Sequence, residues 1–156
     1  PNVGCLIVGA GRIVGRGWTQ AGGRPHAEAM ALEAAGGAAR GATAYVTLEP
    51  CAHVSPRGPA CAELLVAAGV ARVVAAVRDP DPRTDGRGLA RLAAAGIAVS
   101  DGVARDDAIA AMAGWWTRAT RGRAHVTLKL ATSLDGCIAL ASGESRWITG
   151  DRARAF

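Results

Sequence analysis

Four residues with metal-binding or proton-transferring side chains stand in the first half of the chain: His26, Glu28, Cys51 and Cys61. A zinc ion that activates water takes three protein ligands and leaves its fourth position open. One imidazole and two thiolates meet that requirement, so we predict that His26, Cys51 and Cys61 bind Zn²⁺. Each of these residues alone is explained as well by burial or by a helix terminus, and the prediction therefore rests on their combination.

Glu28 follows His26 by two residues, at the start of a predicted helix. In zinc deaminases, a Glu in this position is not a ligand but moves a proton between the attacking water and the substrate's ring nitrogen and leaving amine. We therefore predict that Glu28 is the catalytic residue of a nucleobase-type deaminase. At the start of a helix, His26 and Glu28 can both point into one cleft.

The spacing of the two cysteines departs from the usual deaminase signature. The paired cysteines of nucleic-acid and cytidine deaminases have two residues between them, whereas nine residues separate Cys51 from Cys61. A longer loop still closes a tetrahedral site, because the entropy cost of loop closure rises slowly with length. This loop must cross the mouth of the pocket, and it carries His53 and Arg57, which suit a phosphate or a ring substituent.

Short apolar runs alternate with helical patterns over residues 1–100. Such alternation indicates an α/β sheet with helices on its faces. A β-hairpin predicted at the start makes the sheet mixed rather than purely parallel. Cys51 directly follows a predicted strand, where open α/β sheets place ligands and where a helix N-terminus favours a thiolate. The predicted strands are 4–8, 13–18, 44–48, 72–77 and 97–100, and the predicted helices are 27–35, 61–68 and 89–95.

The character of the sequence changes after about residue 120. Residues 118–123 are polar and basic, as in a linker, and they precede a predicted strand at 126–130 and a turn at 133–136. The roughly thirty residues that remain are too few to bury a core of their own. We therefore predict one domain over residues 1–120, followed at 121–156 by a linker and the opening of a second domain.

Composition and charge limit the partners of the chain. Its net charge is +5, but the cations are scattered arginines with a single lysine, so a small phosphorylated ligand is favoured over nucleic acid. No apolar run is long enough to cross a bilayer, and no secretory signal is visible, so we expect a cytoplasmic protein. The first residue is Pro rather than Met, which favours a processed chain or a fragment. Without a secretory signal, disulfides are not expected, and Cys5 and Cys137 are predicted to be small buried apolar residues.

The chain resembles the bifunctional riboflavin-biosynthesis deaminase/reductase family along nearly its whole length. That family carries a Gly-Arg/Lys-Thr-Pro-Pro-Cys loop, which accounts for the wide spacing of Cys51 and Cys61. The sequence differs from the family at Thr19, where a His is usual, and at Gly58, where a Thr is usual; the family's first helix lies outside the chain. The matching stretches are PNVGC (1–5), PHAE (25–28), GATAYVTLEPC (41–51), AGV (68–70), DPDP (79–82), GRG (86–88), LKL (128–130), SLDG (133–136) and GESRWIT (143–149).

The resemblance implies a cytidine-deaminase-like three-layer α/β/α domain with a mixed sheet. That domain would hydrolyse the exocyclic amine of 2,5-diamino-6-(5-phosphoribosylamino)pyrimidin-4(3H)-one, using zinc on His26, Cys51 and Cys61 and a proton shuttle at Glu28. The stretch after residue 125 resembles the start of a dihydrofolate-reductase-like domain that uses NADPH. By the same resemblance, Ala131 and Trp147 match cofactor positions and Ser145 a substrate position. The implied protein is a homo-oligomer that binds neither nucleic acid nor membrane.

Two alternatives stay open. Another nucleobase deaminase or a tRNA deaminase would share the zinc chemistry, but it would be expected to show the short cysteine pair and, for tRNA, a clustered basic face. A zinc-stabilised domain without catalytic activity is the second alternative. Structural zinc sites usually fill all four positions with Cys or His, and a Glu placed like Glu28 would then have no purpose.

Overall fold

The computed structural model describes residues 1–155, which divide into two compact units, Pro1–His125 and the residues from Val126 onwards. Phe156, the last residue of the predicted second domain, lies outside the described residues. The strands are β1 (Gly4–Gly9), β2 (Arg12–Trp18), β3 (Thr43–Val46), β4 (Arg72–Ala75) and β5 (Ala98–Asp101). The helices are α1 (Ala27–Ala35), α2 (Cys61–Ala68), α3 (Arg87–Ala94), α4 (Arg105–Ala111), α5 (Ala113–Arg121) and α6 (Asp151–Arg154).

The five strands form one sheet in the order β2-β1-β3-β4-β5. Strand β1 pairs antiparallel with β2 and with β3, whereas β3, β4 and β5 are mutually parallel. This arrangement confirms the predicted mixed sheet and its opening hairpin. Helix α2 connects β3 to β4, and helix α3 connects β4 to β5. The carboxyl ends of β3 and β4 therefore meet at one edge of the sheet, the edge at which such sheets bind ligands.

Helix α1 lies very close to strand β2, because two glycines of that strand leave room for it. A Cβ at Gly15 would stand 2.1 Å from the Ala31 carbonyl oxygen, and a Cβ at Gly17 would stand 2.1 Å from that of Ala27. Helix α1 has the predicted bounds, and its N-cap residue is His26. The close packing fixes where the first turn of α1 presents its side chains.

The core is built from small and aliphatic side chains, since the chain has few aromatic residues. Val73 and Val74 are adjacent on β4 and both are buried. Successive residues of a strand point to opposite faces of the sheet, so both faces are covered at β4. Leu6 on β1 and Tyr45 on β3 are more than one-third exposed, and the second face is thus open at those strands. The fully buried apolar side chains of greatest volume are Ile7, Leu65, Leu92 and Val73.

Two predictions are wrong in the region after residue 100, the strand at 126–130 and the burial of Cys137, and two helices there were not predicted. The predicted linker at 118–123 is partly helical, because α5 continues to Arg121; α4 and α5 were not predicted at all. Residues 126–130 form no strand, and no strand occurs anywhere among the described residues of the second unit, so nothing supplies the ladder partner that a strand needs. Cys137 is exposed rather than buried, because this short unit has too few apolar neighbours to cover it.

Two other predictions are confirmed. Cys5 is buried on β1. The turn at residues 133–136 is closed by the Gly136 N–H, which donates to the Ser133 carbonyl oxygen at 3.0 Å.

Among residues 1–155, every helix is too short or too polar to cross a membrane.

Candidate metal centre and active site

Three segments bring the predicted zinc ligands together. His26 is the N-cap of α1, Cys51 lies beyond the end of β3, and Cys61 is the first residue of α2. The His26 Nδ1 atom is 3.2 Å from the Cys61 Sγ atom and 3.6 Å from the Cys51 Sγ atom. The ligand atoms of the three residues all lie within 4.8 Å of one another.

This cluster fits a zinc ion. A tetrahedral zinc with bonds of about 2.0 Å to nitrogen and about 2.3 Å to sulfur would hold those two atoms about 3.5 Å apart, close to the separations found here. One imidazole and two thiolates are donors that zinc accepts readily. In the part of the chain that the structure describes, the cluster consists of His26, Cys51 and Cys61, and such a set leaves the fourth position of the metal open.

The two thiols differ in acidity because each acts on the other. Hydrogen bonds from the Cys61 thiol and from the His26 ring to the Cys51 thiolate lower the pKa of Cys51 to about 4. The same contact with Cys51, together with burial, raises the pKa of Cys61. The backbone N–H of Cys61 also donates to the Cys51 Sγ at 3.3 Å. The helix N-terminus that faces Cys51 is therefore that of α2, ten residues further along the chain, rather than one that directly follows Cys51.

Glu28 lies in the first turn of α1, beside the cluster, and is only 3% exposed. Burial raises the pKa of its carboxyl group to about 7, and the neighbouring Cys51 thiolate adds to this effect. A carboxyl group with a pKa near the working pH both accepts and returns a proton efficiently. The environment of Glu28 thus suits a proton shuttle rather than a permanent negative charge.

A cleft of about 360 Å³ opens beside these residues. His26, Glu28 and Cys51 line it together with His53 and Arg57, the two residues predicted to contact substrate. Sequence reasoning did not single out the other polar or aromatic residues of this lining as site residues. These are Thr19, Arg24, Glu49, Ser55, Asp79, Asp81, Arg83 and Trp115.

The loop between Cys51 and Cys61 is tied to its surroundings at three points. The His53 Nδ1 atom lies 3.4 Å from the Oγ1 of Thr84, a fully buried residue. The Arg57 guanidinium donates to the Gly22 carbonyl oxygen at 2.9 Å, and the Arg24 guanidinium donates to the Pro59 carbonyl oxygen at 3.2 Å. The loop is therefore held in a defined position, with His53 and Arg57 at the cleft.

Two comparisons with known families match successive parts of the chain. Residues 1–77 match the family described as the cytidine and deoxycytidylate deaminase zinc-binding region. Residues 124–156 match the RibD C-terminal domain.

Curated relatives match almost the whole chain. The riboflavin biosynthesis protein RibD of Escherichia coli (strain K12) is 55% identical over 154 residues, which are 99% of this chain and 42% of that protein. The chain is therefore similar to RibD over nearly its whole length. The RibD of Haemophilus influenzae is 52% identical over 99% of the chain and 41% of the relative. The chain thus spans about two-fifths of the length of the RibD proteins that it matches.

Solved RibD structures have the same fold. Acinetobacter baumannii RibD, form 1, superposes with a TM-score of 0.86 at 51% identity, covering 99% of this chain and 43% of that one. The deaminase/reductase of Thermotoga maritima superposes with a TM-score of 0.89 at 40% identity, covering 98% and 44%. These matches confirm the predicted cytidine-deaminase-like fold with a mixed sheet, and the RibD C-terminal match fits the start of a reductase domain.

The second unit contains the three residues that the family resemblance assigned to the reductase. Ser145 and Trp147 line one surface cleft, together with Ser133 and Asp135. The Arg154 guanidinium lies 4.3 Å from the centre of the Trp147 ring. Ala131 is exposed and is not among the described residues that line this cleft. The structure therefore brings two of the three residues together.

Proposed function

We propose that the chain catalyses the zinc-dependent hydrolytic deamination of 2,5-diamino-6-(5-phosphoribosylamino)pyrimidin-4(3H)-one. The products are 5-amino-6-(5-phosphoribosylamino)uracil and ammonia. The observation that carries this proposal is a buried Glu28 beside the His26, Cys51 and Cys61 cluster, at one cleft. The match to E. coli RibD, at 55% identity over 99% of the chain, supports the choice of substrate.

In this proposal, His26, Cys51 and Cys61 hold the zinc ion. A bound zinc ion supplies Lewis acidity, which lowers the pKa of a water molecule at the open position. Glu28 accepts a proton from the attacking water and delivers it to the ring nitrogen of the pyrimidine. It then takes the second proton of that water to the leaving amine, which departs as ammonia while the ring carbon keeps the oxygen. The burial that places the pKa of Glu28 at about 7 supports both transfers.

His53 and Arg57 are proposed to contact the phosphoribosyl part of the substrate. Both line the cleft, and Arg57 is exposed on the loop that crosses it. A guanidinium group binds phosphate oxygens with two parallel hydrogen bonds. One arm of Arg57 is already bonded to the Gly22 carbonyl oxygen, which orients the rest of the group.

The domain division is also part of the proposal: residues 1–120 form the deaminase domain, and 121–156 form a linker and the start of the reductase domain. In a longer protein of this kind, that domain would reduce the deaminated product with NADPH, with Ala131 and Trp147 at the cofactor and Ser145 at the substrate. A homo-oligomer in the cytoplasm, with a small-molecule substrate, completes the proposal. The RibD C-terminal match over residues 124–156 supports the reductase part.

The test is ammonia release by the full-length protein and by its Glu28→Ala variant. Loss of general acid–base catalysis lowers kcat by about 10²–10⁴-fold, and we expect the variant to retain one zinc per chain. Glu33→Ala is the matched control, because Glu33 is an exposed acidic residue on the same helix. A Glu28→Ala variant with zinc and full activity would refute the role of Glu28. A parent protein that binds zinc but releases no ammonia would favour the non-catalytic alternative.

A further inference from the structure

Glu49 is a buried carboxylate that the deaminase chemistry leaves without a role. It lies two residues before Cys51 and is 2% exposed. Each of its two oxygens accepts two backbone N–H groups. The Oε2 atom accepts from Asp79 at 3.2 Å and from Gly86 at 2.9 Å, and the Oε1 atom accepts from Gly88 at 2.9 Å and from Leu89 at 3.2 Å.

All four donors belong to residues 79–89, which we call the anchored loop. It precedes and enters α3, whose first residue is Arg87. Three side chains of the anchored loop line the cleft, those of Asp79, Asp81 and Arg83. The buried Glu49 carboxylate therefore holds the anchored loop in place, and this loop forms one wall of the proposed active site.

The anchored loop also rests directly on the segment that carries a metal ligand. A Cβ at Gly88 would stand 1.9 Å from the Pro50 carbonyl oxygen. Only a glycine permits that approach, and Pro50 is bonded to Cys51. Glu49 therefore fixes the anchored loop at the point where it meets the Pro50 backbone, one residue before Cys51.

A second connection runs from the anchored loop to the loop between Cys51 and Cys61. Thr84 is fully buried, its N–H donates to the Asp81 carbonyl oxygen at 2.8 Å, and its hydroxyl group contacts His53. The Asp81 N–H in turn donates to the Asp79 carboxylate at 2.8 Å. Displacement of the anchored loop would thus move His53 as well as the three cleft residues.

We propose that Glu49 is a positioning residue that sets the distance between the metal centre and the wall of the cleft that the anchored loop forms. The inference rests on the proposed function for the identity of the substrate. A carboxylate serves this purpose because both of its oxygens accept hydrogen bonds. An amide has only one accepting oxygen, and its NH₂ group would face two backbone N–H groups with no acceptor between them. Glutamine at this position has the same shape but can satisfy only half of the four donors.

The experiment compares Glu49→Gln with Glu33→Gln in the full-length protein loaded with zinc. Loss of charge-assisted hydrogen bonds should accelerate hydrogen exchange at the amides of the anchored loop by about tenfold or more. Zinc content should equal that of the parent. KM for the pyrimidine should rise about tenfold while kcat changes less than about threefold, because binding geometry is lost and the proton shuttle is not. Glu33→Gln should match the parent in every measurement.

Thr84→Val separates the contact with His53 from the hydrogen bonds of Glu49. It removes the hydroxyl group at His53 and leaves the Glu49 hydrogen bonds in place, so KM should rise without faster exchange at Gly86, Gly88 and Leu89. Unchanged exchange in Glu49→Gln would overturn the anchoring role. A lower Tm with an unchanged KM would overturn the positioning role and leave a purely structural one.

The affinity for the deaminated product, measured by calorimetry, distinguishes this inference from the proposed function. If the parent releases no ammonia yet binds the product about tenfold more tightly than Glu49→Gln does, the proposed reaction fails and the positioning role stands. Equal product affinity in parent and variant refutes the positioning role whether or not ammonia is released.

Discussion

At the scale of single residues, the unequal pKa values of Cys51 and Cys61 show how a bound cation would change this site. The low pKa of Cys51 and the raised pKa of Cys61 both follow from a thiolate that lies beside a second buried thiol. A zinc ion held by Cys51 and Cys61 would favour the charged form of both sulfurs, so both would be thiolates with zinc bound. The cluster is therefore a site whose full ionisation depends on metal.

Cys61→Ser tests this dependence. A serine oxygen is a poorer ligand for zinc than a thiolate, and loss of one of three ligands should lower zinc affinity by at least about 100-fold. Metal analysis after dialysis against a weak chelator measures the effect, with Cys137→Ser as the matched control because Cys137 is exposed in the second unit. We expect the control to keep one zinc per chain. Undiminished zinc in Cys61→Ser would remove that residue from the site.

The sequence indicated some of the site residues and not others, for a physical reason. His26, Glu28, Cys51 and Cys61 were recognisable because their types and order match a known chemistry. Glu49 was visible as the residue before Pro50-Cys51, but its partners lie 30 to 40 residues further along the chain. An acidic residue directly after a predicted buried strand was the available signal, since a charge that becomes buried must be paired. Which backbone groups pair with it depends on the fold.

At the scale of elements, the contact between α1 and β2 decides where His26 and Glu28 stand. Gly17→Ala would place a Cβ 2.1 Å from the Ala27 carbonyl oxygen and 2.5 Å from the Ala31 nitrogen. Helix α1 must then shift, which should cost about 1–3 kcal/mol of stability as overpacking does and should weaken zinc binding. Chemical denaturation and zinc titration measure the two effects.

Gly114→Ala is the control for that substitution. Gly114 lies within α5, and a Cβ there would meet nothing within 4 Å. Gly114 is the second residue of the helix, and alanine within a helix is favoured over glycine by at most about 0.5–1 kcal/mol, so this variant should be no less stable than the parent and should bind zinc as the parent does. Equal stability of both variants would contradict the close packing of α1 on β2.

Elements were predicted well where short-range signals agree with the fold. Helix α1 was predicted with its observed bounds, because His26 precedes it and Gly36 ends it. Helix α4 was missed, because its sequence RDDAIAA has no apolar stripe and only Ala108 is buried. The apolar residues at 126–130 predicted a strand, but a strand forms only where another segment offers its backbone. Pairing of this kind is not encoded in the segment itself.

At the scale of the whole molecule, the two units differ in how much they bury. The proposed zinc ligands, Glu28 and Glu49 lie in residues 1–125. Every residue of the hydrophobic core also precedes residue 125, and the described residues after it are exposed or half-exposed. The stability that zinc adds should therefore belong to the first unit alone.

A chain ending at His125 tests that separation. We expect it to bind one zinc and to show the same zinc-dependent rise in Tm as the 156-residue chain, since a ligand present at about 100 times its Kd adds about 2.7 kcal/mol. Differential scanning fluorimetry with and without chelator measures the rise in both chains. The same shortened chain carrying Cys61→Ser should show no rise. Loss of zinc binding on shortening, with Cys61 intact, would show that residues after 125 are needed to form the metal centre.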